Sequence, residues 1–356
     1  APPACPTPPP PECWLCFVSL ATALAAAMSL STLATTLATG AVAVICCAVR
    51  LLQRRQSGEA MLWRERSIDL DAVFGEESSQ AEVFNGTVRS LVEDAVHGYK
   101  GTCFVYGITG SGKKHTAFGS SRVLEGFAES TAVVDGDSEG LLLRAFDCLA
   151  SHIEASERTT HVVQVSFLEI VNELVFDLLC KADAPAPRQC AVKKDAGGAG
   201  HVEGLTYRTV RSVQDMRQAF RDGWAAHGGW VRSFGGCESN HTHMLFGITL
   251  EAYETMPNER CLVRTGELNL VKLASSERLV PPDLRSGALE EGFLKAAIAR
   301  CSLQPLQRAI DALARPNIGK AKFIPYRDSK LTWLLQDSLG GAAQSLFIAA
   351  CGPADC

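Results

Sequence analysis

The chain lacks the excess of basic residues that a general nucleic-acid binder carries: 34 Lys and Arg stand against 39 Asp and Glu, for a formal charge of −5. Net charge therefore points to no nucleic acid partner. Its fourteen cysteines are scattered, and paired CxxC motifs are missing. Only Cys13-Trp14-Leu15-Cys16 has a metal-type spacing, and without two further ligands it reads as coincidence rather than a zinc site. Reduced thiols, as in the cytosol, are the default. There is no internal repeat. No Lys or Arg precedes the apolar run that begins at Cys13, which argues against a secretory signal peptide. The first residue is Ala1 rather than Met, as expected of a fragment or a processed form.

What is present suffices for a large core: 356 residues, 47% of them hydrophobic and 21% charged, fit one large domain or two small ones. Residues 1–41 differ from the rest. Ala1 to Pro11 is proline-rich and reads as extended or disordered. Residues 17–39 are apolar, rich in Leu, Ala, Thr and Ser, and long enough for the ~20 residues a spanning helix needs. Arg50, Arg54 and Arg55 would then hold the downstream side in the cytoplasm. Three readings stand: a membrane span, a buried helix, or a segment outside the folded unit. The folded unit is taken as residues 42–356.

Gly107-Ile108-Thr109-Gly110-Ser111-Gly112-Lys113-Lys114 follows the phosphate-loop pattern G-x-x-x-x-G-K-[ST] up to its last position. Glycines let successive backbone N–H groups turn inward around phosphates, the lysine reaches the β and γ phosphates, and the closing hydroxyl ligates Mg²⁺. Here that hydroxyl is missing, and Lys114 offers an ammonium instead. Thr102 to Tyr106 predicts a buried strand entering the loop, and Lys113-Lys114-His115-Thr116 predicts a helix leaving it. Nucleotide-binding candidates are Gly107, Gly110, Ser111, Gly112, Lys113, Lys114 and His115.

Beyond Ile68, strand-like and helix-like stretches alternate, as in an α/β sheet. Strands are expected at Val162–Ile170, Phe246–Tyr253 and Leu268–Leu273. A helix capped by Asp328 or Ser329 carries Leu331, Leu334, Leu335 and Leu339 on one face and stops at Gly340-Gly341. Lys181–Gly200 and Met256–Arg260 read as surface loops.

Four stretches together resemble the kinesin motor domain family. They are Tyr99 to Thr116 around the loop, Ser166-Phe167-Leu168-Glu169-Ile170-Val171-Asn172-Glu173 with its continuation to Leu179, Ile324 to Gly341, and Asp69-Leu70-Asp71-Ala72-Val73-Phe74. The resemblance implies a P-loop motor fold, a central mixed and mainly parallel sheet with helices on both faces. It implies microtubule-stimulated ATP hydrolysis, with ATP or ADP and Mg²⁺ as ligands, tubulin as partner, and a place on the cytoskeleton in the cytoplasm. Ile45 to Arg50 is similar to the family's first strand, after which Leu52 and Gln53 stand where an adenine-side Arg-Pro is expected. Ile348 to Asp355 is similar to its last strand and turn, so the chain is expected to stop before a final helix and neck linker.

The family's switch regions are altered. Gly236-Cys237-Glu238-Ser239-Asn240-His241-Thr242-His243 stands for N-x-x-S-S-R-S-H, and Lys272-Leu273-Ala274-Ser275-Ser276-Glu277 for D-L-A-G-S-E. Ser239 and Glu277 remain as catalytic candidates. His241 replaces the arginine expected to latch onto Glu277, without its bidentate fork. His241 and His243 read as solvent-facing or structural rather than as metal ligands.

Lys114 and Lys272 together add three positive charges where a divalent cation is expected. At about 4 kcal/mol per unit-charge pair at close range, two ammonium groups beside Mg²⁺ cost on the order of 10 kcal/mol. Mg²⁺ is therefore not expected to bind in the usual way. Two readings of the lysines are open: both point into solvent from a decayed site, or both serve as phosphate counterions in place of the metal. Microtubule-binding candidates are Lys320, Lys322, Tyr326, Arg327 and Lys330, a basic cluster suited to acidic tubulin, with a solvated charge run as the plain alternative. Trp333 replaces a residue that is typically arginine. The resulting expectation is a microtubule-binding pseudoenzyme. An active ATP-dependent motor and a membrane-tethered nucleotide-binding anchor are the alternatives.

Overall fold

A computed structural model describes residues 42–47, 51–57, 60–66, 70–75, 77–120, 123–124, 138–156, 159–180, 187–195, 197–233, 241–255, 261–276, 291–314, 323–341 and 343–351. In chain order the strands begin with β1 (Val42–Cys47), β2 (Leu51–Ser57), β3 (Ala60–Arg66) and β4 (Ala72–Phe74). Helices α1 (Gln80–Asn85) and α2 (Val88–Val96) lead to β5 (Lys100–Tyr106), α3 (Lys113–Phe118) and α4 (Leu141–Glu154). Next come β6 (Thr159–Val171), β7 (Leu174–Asp177), β8 (Arg188–Cys190), β9 (Val192–Lys194), β10 (Gly200–Val202), β11 (Arg208–Val210) and α5 (Val213–Ser233). The chain continues through β12 (His243–Thr255), β13 (Cys261–Lys272), α6 (Glu291–Ala314), a 3-10 turn (Tyr326–Asp328), α7 (Lys330–Leu334), α8 (Gln336–Gly340) and β14 (Gln344–Ala349).

The central sheet has the order β4-β1-β14-β5-β13-β12-β6-β7-β8, with β11 also on β6. From β4 to β13 every pairing is parallel; from β13 onward the pairings are antiparallel. Strand β5 lies in the parallel half and is buried from Gly101 to Tyr106. That explains why its sequence is a continuous apolar run rather than an alternating one. Cys103 and Val105 face one layer, Phe104 and Tyr106 the other.

The first layer is built by α2, α3, α4 and α5. Helix α2 buries Val88, Leu91, Val92 and Ala95, the i, i+3, i+4, i+7 stripe of a surface helix. Phe118, Phe146, Phe167, Phe220, Phe246 and Trp224 interlock beneath these helices, with ring centroids such as Phe167–Phe246 at 5.2 Å and Phe118–Phe220 at 5.4 Å. On the opposite layer, Leu306 and Ile310 of α6, with Leu331 of α7 and Leu335 just after it, pack on Phe104, Leu168, Leu245 and Phe347.

The expected strands are present; β12 runs past both its predicted limits and β13 begins well before Leu268 and ends at Lys272, because the two form one long hairpin from Met244↔Lys272 to Thr255↔Cys261. The first strand is described over Val42–Cys47, which includes Ile45–Cys47 of the expected Ile45–Arg50, and it lies between β4 and β14; residues 48–50 lie outside the described residues. Lys181–Gly200 is not simply a loop. Arg188–Cys190 pairs with β7, and Val192–Lys194 pairs with β10, in three-residue strands too short to show an alternating pattern. The single C-terminal helix is broken at Leu335 into α7 and α8. Ser329, not Asp328, caps it by accepting a hydrogen bond from Thr332 N at 3.1 Å. Met256–Arg260 and residues 17–39 lie outside the described residues, so the loop and membrane readings there are not addressed. Among the described residues no helix is long and apolar enough to cross a membrane.

Helix α2 approaches the sheet most closely at Gly266, where a Cβ would lie 1.8 Å from Ala95 O. Gly266→Ala is expected to destabilise the protein by about 1–3 kcal/mol or more through overpacking, read as a lowered urea midpoint. An unchanged midpoint would mean that α2 is not seated there.

Candidate functional site

The loop from Gly107 to Lys113 joins β5 to α3 at the carboxyl ends of parallel strands, where open α/β sheets form crevices. Its path needs backbone that side chains rarely adopt. Gly110 and Gly112 have φ of +80° and +92°, and a Cβ on Gly107 would lie 2.3 Å from Ala350 O. The neighbouring strands hold it down: Ala350 N donates to Tyr106 O at 2.8 Å, and Ser276 N donates to Gly107 O at 3.2 Å.

Lys113 is buried, its ammonium donating to Ile108 O at 2.5 Å and to Ser275 Oγ at 3.0 Å. Thr109 Oγ1 also donates to Ser275 Oγ at 3.0 Å, and Ser111 Oγ donates to Ile108 O at 2.8 Å. Ser275 stands where the family pattern has glycine. Its hydroxyl tethers both the loop and the loop lysine, which a glycine could not do.

Lys272 does not point into solvent. It is 2% exposed, at the end of β13. The register sets Lys272 opposite Met244, and Met244 opposite Glu169, so all three side chains share the α5-facing side of the sheet. Burial, then the charges of Lys113 and Lys114, push the Lys272 ammonium down to a pKa of about 7, against the opposing pull of Glu169. Glu169 is fully buried, and its Oε2 lies 2.9 Å from Nδ1 of buried His227.

Three residues before His227, Trp224 places its ring 5.7 Å from the Lys114 ammonium. Lys114 is thus braced on an aromatic face rather than free in solvent. His115 is exposed, and its Nδ1 meets Gln80 Nε2 at 2.7 Å. Neither His227 nor Trp224 stood out in the sequence. Glu169 did carry a signal, as a carboxylate in the buried register of Val165 and Phe167.

His243 is structural, as one of its two readings held. It is 2% exposed, accepts from Ala274 N at Nδ1 (3.0 Å) and meets Ser302 Oγ through Nε2 (2.7 Å). Those partners require a neutral ring protonated on Nε2. Burial and then Lys272 hold its pKa down at about 3. Ser239 and Glu277 lie outside the described residues.

The two positions expected to hold Mg²⁺ are lysines, whose side chains offer no oxygen ligand in either protonation state and no lone pair when protonated. Among the described residues no cluster of His, Cys, Asp or Glu could hold a metal ion. At these two positions the residues present do not fit a divalent cation.

A second candidate surface lies on the opposite layer. Arg327 is exposed, its guanidinium 5.4 Å from the Trp333 ring, and Lys330 places its ammonium 5.5 Å from the same ring. Trp333 in turn rests on Gly200 of β10, where a Cβ would lie 2.8 Å from the indole. Lys330 N donates to Glu173 Oε2 at 2.6 Å, which fixes α7 to the β6–β7 turn. Tyr326 is half-buried, and Phe323 beside it is 84% exposed. Lys320 and Lys322 lie outside the described residues.

Residues 39–356 match the family described as the kinesin motor domain. The chain is 33% identical over 294 residues to the kinesin-like protein KIN-5A of Arabidopsis thaliana, an alignment covering 81% of this chain and 27% of that protein. It is 36% identical over 290 residues to the kinesin-like protein klp-20 of Caenorhabditis elegans, covering 81% and 41%. The chain thus spans well under half the length of these curated relatives. A solved structure described as "Structure of a fast kinesin: Implications for ATPase mechanism and interactions with microtubules" aligns with a TM-score of 0.68 and 29% identity, over 88% of this chain and 85% of that one.

Lys272 makes stability depend on pH. Its folded pKa, about 7, lies below the ordinary 10.5, so above pH 7 the folded state binds fewer protons than the unfolded state. Stability is therefore expected to rise by about 1 kcal/mol per pH unit between roughly pH 7 and 8.5, below the range where the buried Cys103 thiol acts in the opposite sense. Thermal unfolding of nucleotide-free protein measures this, and Lys272→Met is expected to flatten the rise. Equal slopes in both proteins would mean that Lys272 is not the cause.

Proposed function

Because this chain belongs to the kinesin motor-domain family, we propose that it is a microtubule-binding module whose nucleotide site has lost metal-assisted ATP hydrolysis. The observation that carries this reading is buried Lys272, an ammonium held beside Lys113 where metal-assisted phosphoryl transfer calls for a carboxylate. Lys114 removes the second expected ligand. Ser275 adds a tether that holds the loop lysine against the protein's own carbonyl.

Ser239 and Glu277 are the residues of the switch motifs left to act on a γ-phosphate. Without a positioned metal, charge developing on the transferring group loses its main stabiliser. His241 in place of arginine weakens closure further, since imidazole lacks the fork that grips a carboxylate at two points. The folded unit for this function is residues 42–356, with 1–41 outside it, and its place is the cytoskeleton.

The filament-facing surface is supported by a different part of the chain. Arg327 and Lys330 lie against Trp333, and the aromatic face offsets part of the desolvation that their charges meet at an interface. Tyr326 precedes Arg327 in the same turn, and Lys320 and Lys322 extend the patch in the sequence. Such a patch complements the acidic surface of tubulin.

Co-pelleting with microtubules is expected with and without nucleotide, and Arg327→Ala with Lys330→Ala is expected to weaken it about tenfold at low salt. Phosphate release is expected to stay well below about 1 s⁻¹ with microtubules present. Stimulated turnover at or above that rate would establish an active motor instead, and failure to pellet would remove the filament reading.

A further inference from the structure

The crevice beside the loop holds its cations by construction. Lys272 is carried by β13 and backed by Glu169 and His227. Lys113 is held by Ile108 O and Ser275, and Lys114 is braced on Trp224, one turn of α5 from His227. Lys114, Trp224, His227 and Glu169 therefore form a chain of contacts, and Lys272 shares the face of the sheet that carries Glu169 through Met244. In the loop, Gly110 and Gly112 leave open space where side chains would stand.

The ammonium groups here already repel one another, since Lys113 and Lys114 both make it harder for Lys272 to keep its proton. A divalent cation arriving here adds to that repulsion. A polyanion relieves it.

We propose that this crevice binds a di- or triphosphate group without a divalent cation, with the ammonium groups of Lys113, Lys114 and Lys272 as its counter-charge. The inference rests on the reading that the site has lost its metal, but it concerns ligand binding and not the filament. On binding, Lys113 exchanges its contacts with Ile108 O and Ser275 Oγ for phosphate oxygens, so no buried donor is left unpaired. Nucleotides and inorganic pyrophosphate share this chemistry.

The test is binding of fluorescently labelled ADP to the full chain, in excess EDTA and in excess Mg²⁺, with unlabelled ATP and pyrophosphate as competitors. Affinity in EDTA is expected to equal or exceed that in Mg²⁺. Lys272→Met is expected to weaken metal-free binding by about 10- to 100-fold, the loss of one charge-assisted contact. Lys114→Thr, at a partly exposed position, is expected to weaken it in the same sense and serves if the first variant does not fold. Pyrophosphate competing as well as ADP would identify the phosphates alone as the ligand; weaker competition would show that the nucleoside contributes.

Binding that requires Mg²⁺, or no binding in either condition, overturns the proposal. Microtubule co-pelleting in parallel separates the two ideas. Retained pelleting without metal-free binding defeats this inference and leaves the filament reading intact, while the converse result does the reverse.

Discussion

A lysine ammonium buried in a β-sheet is the constraint around which the loop end of this molecule is arranged. Desolvating an ammonium costs several kcal/mol even after relaxation, and the pKa of Lys272, pushed down to about 7, carries the mark of that burial. The register places Glu169 two strands away on the same face, and its carboxylate opposes the downward shift of Lys272. His227 in turn gives Glu169 a hydrogen-bonding partner within the core. Glu169 Oε1 makes no hydrogen bond, which leaves part of the carboxylate's capacity directed at charge rather than at a donor.

Ser275 and Lys272 are three residues apart and act on the same loop from different sides. Lys272 raises the positive potential of the crevice from within the sheet. Ser275 holds Lys113 against the loop's own carbonyl. A ligand must therefore compete for Lys113, yet it meets a site whose charge favours anions more strongly than a single loop lysine would. The two residues pull in opposite directions on affinity for an anion.

Much of this fold was legible because its central elements are long and strongly patterned. The run from Thr102 to Tyr106 is apolar on both faces because β5 is covered on both faces, and the glycines after it can only turn. Ser329 carried a cap signal, which the structure uses. What stayed hidden depends on distance along the chain. Glu169 and His227 lie 58 residues apart, and no spacing rule links a strand carboxylate to a histidine on a helix that begins more than forty residues later. The solvent-facing reading of Lys272 failed for a related reason: lysine is usually exposed, and only the pairing with Met244 reveals that this one faces the core. The break at Leu335 was hidden because leucines at helical spacing fit one helix or two equally well.

The two candidate surfaces could diverge independently because the sheet separates them. Lys272, Glu169 and His227 lie on the α5 side, whereas Trp333, Lys330 and Arg327 lie with α7 on the other. Strand β6 is their nearest common element, with Glu169 in its buried register and Glu173 in the turn that follows, bonded to Lys330 N. That bond goes to a backbone N–H, so it fixes the position of α7 without depending on the charge state of the crevice. On the proposed reading, a buried lysine in place of a carboxylate that serves the metal changes what the loop can hold while leaving in place the contacts that present the basic patch. A chain of this family could lose its metal chemistry by substitutions on one face of its sheet and keep its filament surface on the other.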